Sequence, residues 1–420
     1  MRDARIVTGI DVGTTKVCTI MGRTSGPRDL EVLAHSLVPC EGLKKGNVED
    51  ITATARAIRA SVDEIERRAQ IAVRSAYVGV TGAHVTFENR VDTLDWVGKH
   101  GVITAEELTH VPETVASVGV AVGREVIHAL PITYRLDGRG GIRNPLGMHT
   151  DHLEVETHVV TGAPSPIEQL ARAVESSGLK VEGLVLEPLA SSEAVLTREE
   201  KDQGAVLVDI GGGTTDVVVF RNGRIAYTGV IPVGGYQFTY DICQTYNTTY
   251  AAAEAAKLAY AHTEPYVASA VEEVSLPVLG RVSAQKVPRR DICQLVRERA
   301  QELVPLIRLK LNEAQIDDVS RIRLVLTGGS SNLPGLQALM QRTLTNHVRI
   351  GVPNVHPGIP GELRAPHFAT GVGILLWAKD KRGTATAPLG QSREDRRRPG
   401  RLAFVHRFLS YVRGLWPQAA

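Results

Sequence analysis

Apolar and polar positions along this chain fall into short strand-like runs broken by glycine turns, with helical periods between them. Near the N-terminus TGIDVGTTKVCTIMGRTSG is followed by LEVLAHSLVP, and far downstream VLVDIGGGTTDVVVFRNG is followed by RIAYTGVIPVGG. Each copy reads as an apolar strand, an aspartate, a Gly/Thr turn, a second strand, a polar turn and a third strand. β-Branched residues fill the flanks and glycine permits the turns. Two copies in register predict a duplicated α/β domain with a cleft between the halves.

Between and after the copies the period changes. Residues 49–70 place Ile51, Ala55, Ile58, Val62 and Ile65 at helical spacing. SAYVGVTGAHVTF returns to strand, and residues 86–162 read as a separate module ending in the alternating DHLEVETHVVTG. PSPIEQLARAVESSGL is helical, VEGLVLEP is a strand, and PLASSEAVL is a helix. Residues 236–315 read as largely helical; RIRLVLTGGSSNLPGLQALMQRTL is strand, glycine turn and helix; HFATGVGILLWA is a last helix. The expected divisions are 1–85, 86–162, 163–200, 201–235, 236–315, 316–378, a polar linker at 379–400 and an amphipathic helix at 401–417.

Composition narrows the function classes. The 420 residues allow more than one domain, and a net charge of +2 gives no global reason to expect nucleic acid. Asp11 interrupts the first apolar run, so no signal peptide is expected, and no apolar stretch is long enough to span a membrane. Cys18, Cys40, Cys243 and Cys293 lie far apart without a CxxC pair, so reduced thiols in a cytoplasmic protein are expected.

The glycine turns carry the candidate chemistry. A phosphate needs donors it can approach closely, and backbone N–H groups in a glycine turn provide them. Gly211, Gly212 and Gly213 with Thr214 and Thr215 fit that task, and Gly13, Thr14 and Thr15 repeat it from the other half. Lys16 adds a positive charge there. Asp11 and Asp209 end apolar strands and fit the carboxylates that hold Mg²⁺ together with phosphate oxygens. One copy alone would read sooner as a hairpin connector; it is the pair that points to nucleotide. Neither turn is a GxxxxGK[ST] loop or a GxGxxG opening a helix, because here the turn opens a strand.

GIDVGTTK, VDIGGGTTDVVVF and VLTGGSSNLPGL resemble the two phosphate motifs and the adenosine motif of the actin, Hsp70 and sugar-kinase superfamily. VGVTGAHV, the stretch EVIHALPITYRLDGRGGIRNPLGMHTDHLEVETHVV and IPVGGYQFTYDICQTYNTTYAAAEAAKLAYA resemble FtsA, the actin-like bacterial cell-division family. The resemblance covers about residues 5–378 and, separately, the tail. It implies an actin-like fold of two RNase-H-like halves (subdomains 1A and 2A) around an ATP cleft, with module 86–162 as subdomain 1C and 236–315 as subdomain 2B. It further implies that Gly328, Gly329 and Ser330 lie against adenosine, and that Glu254 and Lys257 touch adenine or ribose. Ser330 departs from the commoner glycine-rich adenosine turn. Glu187 would face the attacking water, with Asp11 and Asp209 as its catalytic partners; as a carboxylate before Pro188 it reads equally as a helix-start residue favoured by the dipole. ATP turnover would be slow.

The tail RLAFVHRFLSYVRGLWPQAA completes the reading. At helical spacing Leu402, Val405, Leu409, Val412 and Trp416 cluster, flanked by Phe404, Phe408, Tyr411 and Leu415, with Arg407 and Arg413 on the other side. Between positions 393 and 413 seven arginines stand against Glu394 and Asp395. This pattern predicts a helix lying on anionic lipid; the alternative is a helix docked on the core. The resemblance implies a tether: a filament-forming protein on the inner face of the membrane at the division site, binding the FtsZ C-terminal peptide through 2B and other divisome proteins through 1C. A PilM-like pilus scaffold and an Hsp70-like or sugar-kinase-like ATPase are the rival readings.

Overall fold

The computed structural model describes residues 5–26, 29–98, 101–117 and 121–380. Strands β1 (Arg5–Val12), β2 (Lys16–Gly26) and β3 (Asp29–Pro39) form an antiparallel meander. A small hairpin, β4 (Leu43–Lys44) with β5 (Asn47–Val48), leads into helix α1 (Ile51–Ala69). That helix starts where the Asp50 carboxylate accepts the Ala53 N–H at 2.9 Å, and stops at Gln70, in the left-handed region. It buries Ala55, Ile58, Val62 and Ile65, so the predicted face is the packed one. Strand β6 (Ser75–Val80) then adds parallel to β1.

An excursion follows: β7 (Thr86–Thr93), α2 (Ala105–Ser117), β8 (Glu125–Leu136), β9 (Arg139–Ile142) and β10 (Leu153–Gly162). Its sheet, in the order β7-β10-β8-β9, has its own core of Leu94, Ile103, Val111, Leu153 and Val155. The chain returns through α3 (Pro164–Ser176) to β11 (Lys180–Leu186), which closes the first sheet in the order β11-β6-β1-β2-β3. Helix α4 (Glu187–Val195) and short α5 (Arg198–Gln203) lead to the second half.

The second half repeats the plan. Strands β12 (Ala205–Ile210), β13 (Thr215–Arg221) and β14 (Arg224–Ile231) are another antiparallel meander. Helices α6 (Gly235–Thr245) and α7 (Tyr250–Tyr260), hairpin strands β15 (Glu273–Leu276) and β16 (Gln285–Pro288), and α8 (Arg289–Glu313) follow. The hairpin interrupts a stretch whose composition reads as helical, because each of its strands is only four residues long. Strand β17 (Leu324–Thr327), α9 (Leu336–Thr343), β18 (Val348–Ile350) and α10 (Ala369–Asp380) complete the chain.

The second sheet runs β14-β13-β12-β17-β18. Strand for strand it matches the first: β12 pairs antiparallel with β13 and parallel with β17, as β1 does with β2 and β6. Helix α10 crosses back to pack on α4 and β1. Gly373 makes this crossing possible, since a Cβ there would meet the Ala190 carbonyl oxygen at 1.8 Å. Among the described residues no helix is long and apolar enough to cross a membrane. All four cysteines are unpaired thiols. The linker and tail, including the helix expected at 401–417, lie outside the described residues.

Candidate functional site

The two meanders present equivalent turns to each other. In the first, Gly13 N–H donates to Lys16 O at 2.9 Å; in the second, Gly211 N–H donates to Thr214 O at 2.9 Å. Strand register fixes the correspondence: Asp11 lies opposite Cys18 as Asp209 lies opposite Asp216. Thr14 and Thr15 therefore match Gly212 and Gly213, and Lys16 matches Thr214. The turns approach closely. A Cβ on Gly212 would meet Thr15 at 2.8 Å, and one on Gly213 would meet the Thr14 hydroxyl at 2.3 Å. Larger residues at these two positions would push the halves apart.

Between the turns lies a cavity of about 560 Å³ lined from both halves. Every residue singled out for it in the sequence lies in its wall except Thr215. That side chain is fully buried and its hydroxyl donates to Val233 O at 2.8 Å, bracing the approach to α6. The second turn is held by the start of α6, with Gly235 N–H to Gly211 O at 2.9 Å and Tyr236 N–H to Gly212 O at 2.7 Å. Ser330 donates to the same Gly211 carbonyl at 2.9 Å, so its hydroxyl has a structural use in this turn. Gly328 is in the left-handed region at φ +82°, where a Cβ would strike Asp209 Oδ1. On the far wall Lys257 Nζ lies 2.8 Å from Glu254 Oε2 and 2.9 Å from the Thr239 hydroxyl, beside Tyr250, Phe238 and Leu258.

The floor is acidic. Burial lifts the Asp11 carboxyl to about 7, against the pull of Lys16 and with a push from Asp209. Glu187 opens α4 and is held well above its ordinary range, first by burial and then by repulsion from Asp11, Asp216 and Asp209. Burial raises Asp209 as well, opposed by hydrogen bonds that Ser191 and Thr370 donate to its carboxylate. Lys16 is pushed down by burial and donates to His367 O at 3.2 Å.

Sequence reading passed over several wall residues. Asp216 is lifted by burial to about 8, although Thr81 donates to it at 2.6 Å from the first half. It stands inside the VDIGGGTTDVVVF motif, and its signal was an acid one step beyond the Gly/Thr run. Thr81, His367 and Thr370 come from distant segments, and no local pattern marks them.

Four carboxylates facing one lysine leave the floor short of positive charge, and buried carboxylates in that state favour a bound cation. The donors are all oxygen, which suits a hard, partly hydrated divalent ion. Among the described residues no three acidic, histidine or cysteine side chains are grouped as a cage for a metal. A cation here would complete its shell from water and ligand oxygens. The glycine turns supply backbone donors on both sides of the same space.

Comparison with known proteins agrees with this architecture. A family model described as cell division protein FtsA matches residues 206–373, and one described as the SHS2 domain inserted in FtsA matches residues 82–161. The cell division protein FtsA of Pseudomonas aeruginosa is 34% identical, over 91% of each chain. That of Bacillus subtilis is 32% identical over 90% of this chain and 84% of its own. Among solved structures, the PilM–PilN type IV pilus biogenesis complex superposes with a TM-score of 0.62 at 21% identity, covering 90% of this chain and 99% of that one. The ethanolamine utilization protein EutJ of Carboxydothermus hydrogenoformans superposes at 0.50 with 18% identity, over 89% of each chain. These two likenesses concern the fold, which is actin-like with an inserted domain. Identity above 30% along nine-tenths of the sequence, together with the match to the domain inserted in FtsA, makes this chain a member of the FtsA family of cell-division proteins.

Proposed function

We propose that the cleft binds ATP with Mg²⁺, and that bound nucleotide favours filaments which tether FtsZ to the cytoplasmic face of the cell membrane at the division site. The observation that carries the nucleotide reading is the pair of equivalent glycine turns meeting over a cavity floored by buried acids. Gly13, Thr14 and Thr15 on one side and Gly211, Gly212, Gly213 and Thr214 on the other offer N–H and hydroxyl donors to phosphate oxygens. Lys16 adds charge at the same place, and Thr215 braces the second turn from behind. Asp11 and Asp209 hold the metal through oxygen or water. Mg²⁺ supplies charge neutralisation at the phosphates. Gly328, Gly329 and Ser330 line the adenosine end, and Glu254 and Lys257 offer an acceptor and a donor to ribose or base.

Glu187 faces the same space. As a carboxylate it would orient a water; with its proton held, it would donate a hydrogen bond instead. Either role is consistent with slow turnover in a switch. Family membership supports the remaining parts: the FtsZ C-terminal peptide on the segment 236–315, other divisome proteins on 86–162, self-association, and the tail 401–417 on anionic lipid.

Equilibrium titration of the full chain with ATP, with and without Mg²⁺, tests the cleft. Removing the Lys16 charge in Lys16→Ala should weaken binding about 10- to 100-fold, the range for a hydrogen bond to a charged group. Equal affinity in the variant, or no binding in the parent chain, sinks the assignment.

A further inference from the structure

The inserted sheet grows out of the first half, yet its edge lies against the second. Strand β7 runs beside β14, and the Phe87 ring packs on the second half's core, edge-on to Tyr227 with ring centroids 5.0 Å apart. A hydrogen-bond relay begins and ends on β14. Asn89 Nδ2 donates to Ala226 O at 3.1 Å, Asn89 Oδ1 accepts from His158 Nδ1 at 2.6 Å, and His158 Nε2 accepts from the Thr228 hydroxyl at 3.1 Å. Burial pushes the imidazole down to about 4, so it is neutral and each ring nitrogen has one role, assigned here from its partners. Nearby, Arg143 donates to Asp202 Oδ1 at 3.1 Å and Asn222 O at 2.8 Å, and Arg224 reaches Gly141 O at 3.3 Å.

This junction is not filled as a core is. A groove of about 310 Å³, open to solvent, runs between Leu130, Pro131 and Ile132 on one side and Phe220 and Ile225 on the other. In its wall Arg224 Nε is buried without a partner. Solvent reaches this seam, unlike the densely filled cores on either side of it. A contact made of a few specific hydrogen bonds beside an open groove can form and separate at little cost in buried apolar area.

Two short paths join the junction to the nucleotide cleft. Strand β14 ends at Ile231, and four and five residues on Gly235 and Tyr236 donate to the second glycine turn. Strand β7 is preceded by Thr81, which donates to Asp216 in the cleft floor. Each strand is therefore only a few residues from a hydrogen bond into the cleft.

We propose that the contact between the inserted sheet and β14 is a latch on the cleft. Engaged, it holds the halves at the separation that brings the two turns together; released, it lets them part. Its regulatory meaning rests on the nucleotide reading above, and by linkage a nucleotide that closes the turns tightens the latch to the same degree.

Asn89→Ala with Arg143→Ala, both on exposed side chains, tests this in the full chain, with Arg135→Ala as a control that breaks an ion pair to Glu154 inside the inserted sheet. Amide hydrogen exchange without nucleotide should rise together in β7, in β14 and at Gly211, Gly235 and Tyr236, by about fivefold, and bound ATP should leave about fivefold faster. A rise confined to β7 and β14, or one matched by the control, overturns the latch. If the parent chain binds no ATP, the nucleotide reading falls while the exchange data still decide the latch. Should the double variant fail to fold, Asn89→Ala alone is read in the same way.

Discussion

Asp216 shows how much one buried carboxyl can govern. Its folded-state pKa of about 8 lies far above the ordinary 3.8, so the folded chain keeps a proton that the unfolded chain releases. The stability this gives is whole below pH 3.8 and is lost as pH rises toward 8. Asp216→Asn keeps an acceptor for Thr81 and removes the charge. Without nucleotide it should melt a few degrees higher at pH 8 and have a flatter melting-temperature profile between pH 5 and 8. An unchanged profile would show that the carboxyl is not burdened as the geometry implies. His158 acts in the opposite sense. Depressed from 6.5 to about 4, it contributes stability above pH 6.5 that disappears as pH falls toward 4. His158→Gln, which keeps polar atoms at the site but cannot titrate, should flatten the acid limb of a melting curve. Retention of the full acid slope would place its origin elsewhere.

Helices α4 and α10 carry the crossing between the halves, and the close approach of Gly373 to Ala190 sets their spacing. Gly373→Ala should cost about 1–3 kcal/mol by overpacking, read as a lower denaturant midpoint with an unchanged slope. A midpoint equal to that of the parent would mean that the helices can move apart freely. Elements were legible in the sequence where their partners are neighbours. Each meander is one continuous stretch, so β1–β2 and β12–β13 were visible as strand, turn and strand, and the duplication was visible with them. The inserted module was set apart in the sequence, but its strand order was not, because β7 pairs with β10 across sixty residues and the order β7-β10-β8-β9 leaves no local mark. The wall of the cleft divided along the same line. The residues of the turns could be named from motif alone. Asp216 was masked because its counterpart in the first copy is Cys18, so the echo breaks there. Thr81, His367 and Thr370 are brought in only by long-range packing.

For the whole molecule, the cleft would explain what is bound and the tail would explain where. The full chain should sediment with anionic vesicles in the presence of ATP and Mg²⁺, whereas a chain ending at Gly400 should stay in solution, and Phe408→Glu should behave like the truncation. Equal pelleting of the full and shortened chains would remove the tail from the account. A single short helix binds lipid reversibly; filament formation would multiply it, so the bound fraction should climb more steeply than protein concentration.

The two halves also differ where they correspond, and the difference has a consequence. A cleft built from two identical turns would accept an elongated ligand equally well in either direction. Here the position that is Lys16 on one side is Thr214 on the other, and the position that is Cys18 on one side is Asp216 on the other. At the turns themselves, one bank carries the lysine and the other the extra acid. The repeated plan is symmetrical, but the charges set on it are not, so a ligand with one anionic end would be held one way round.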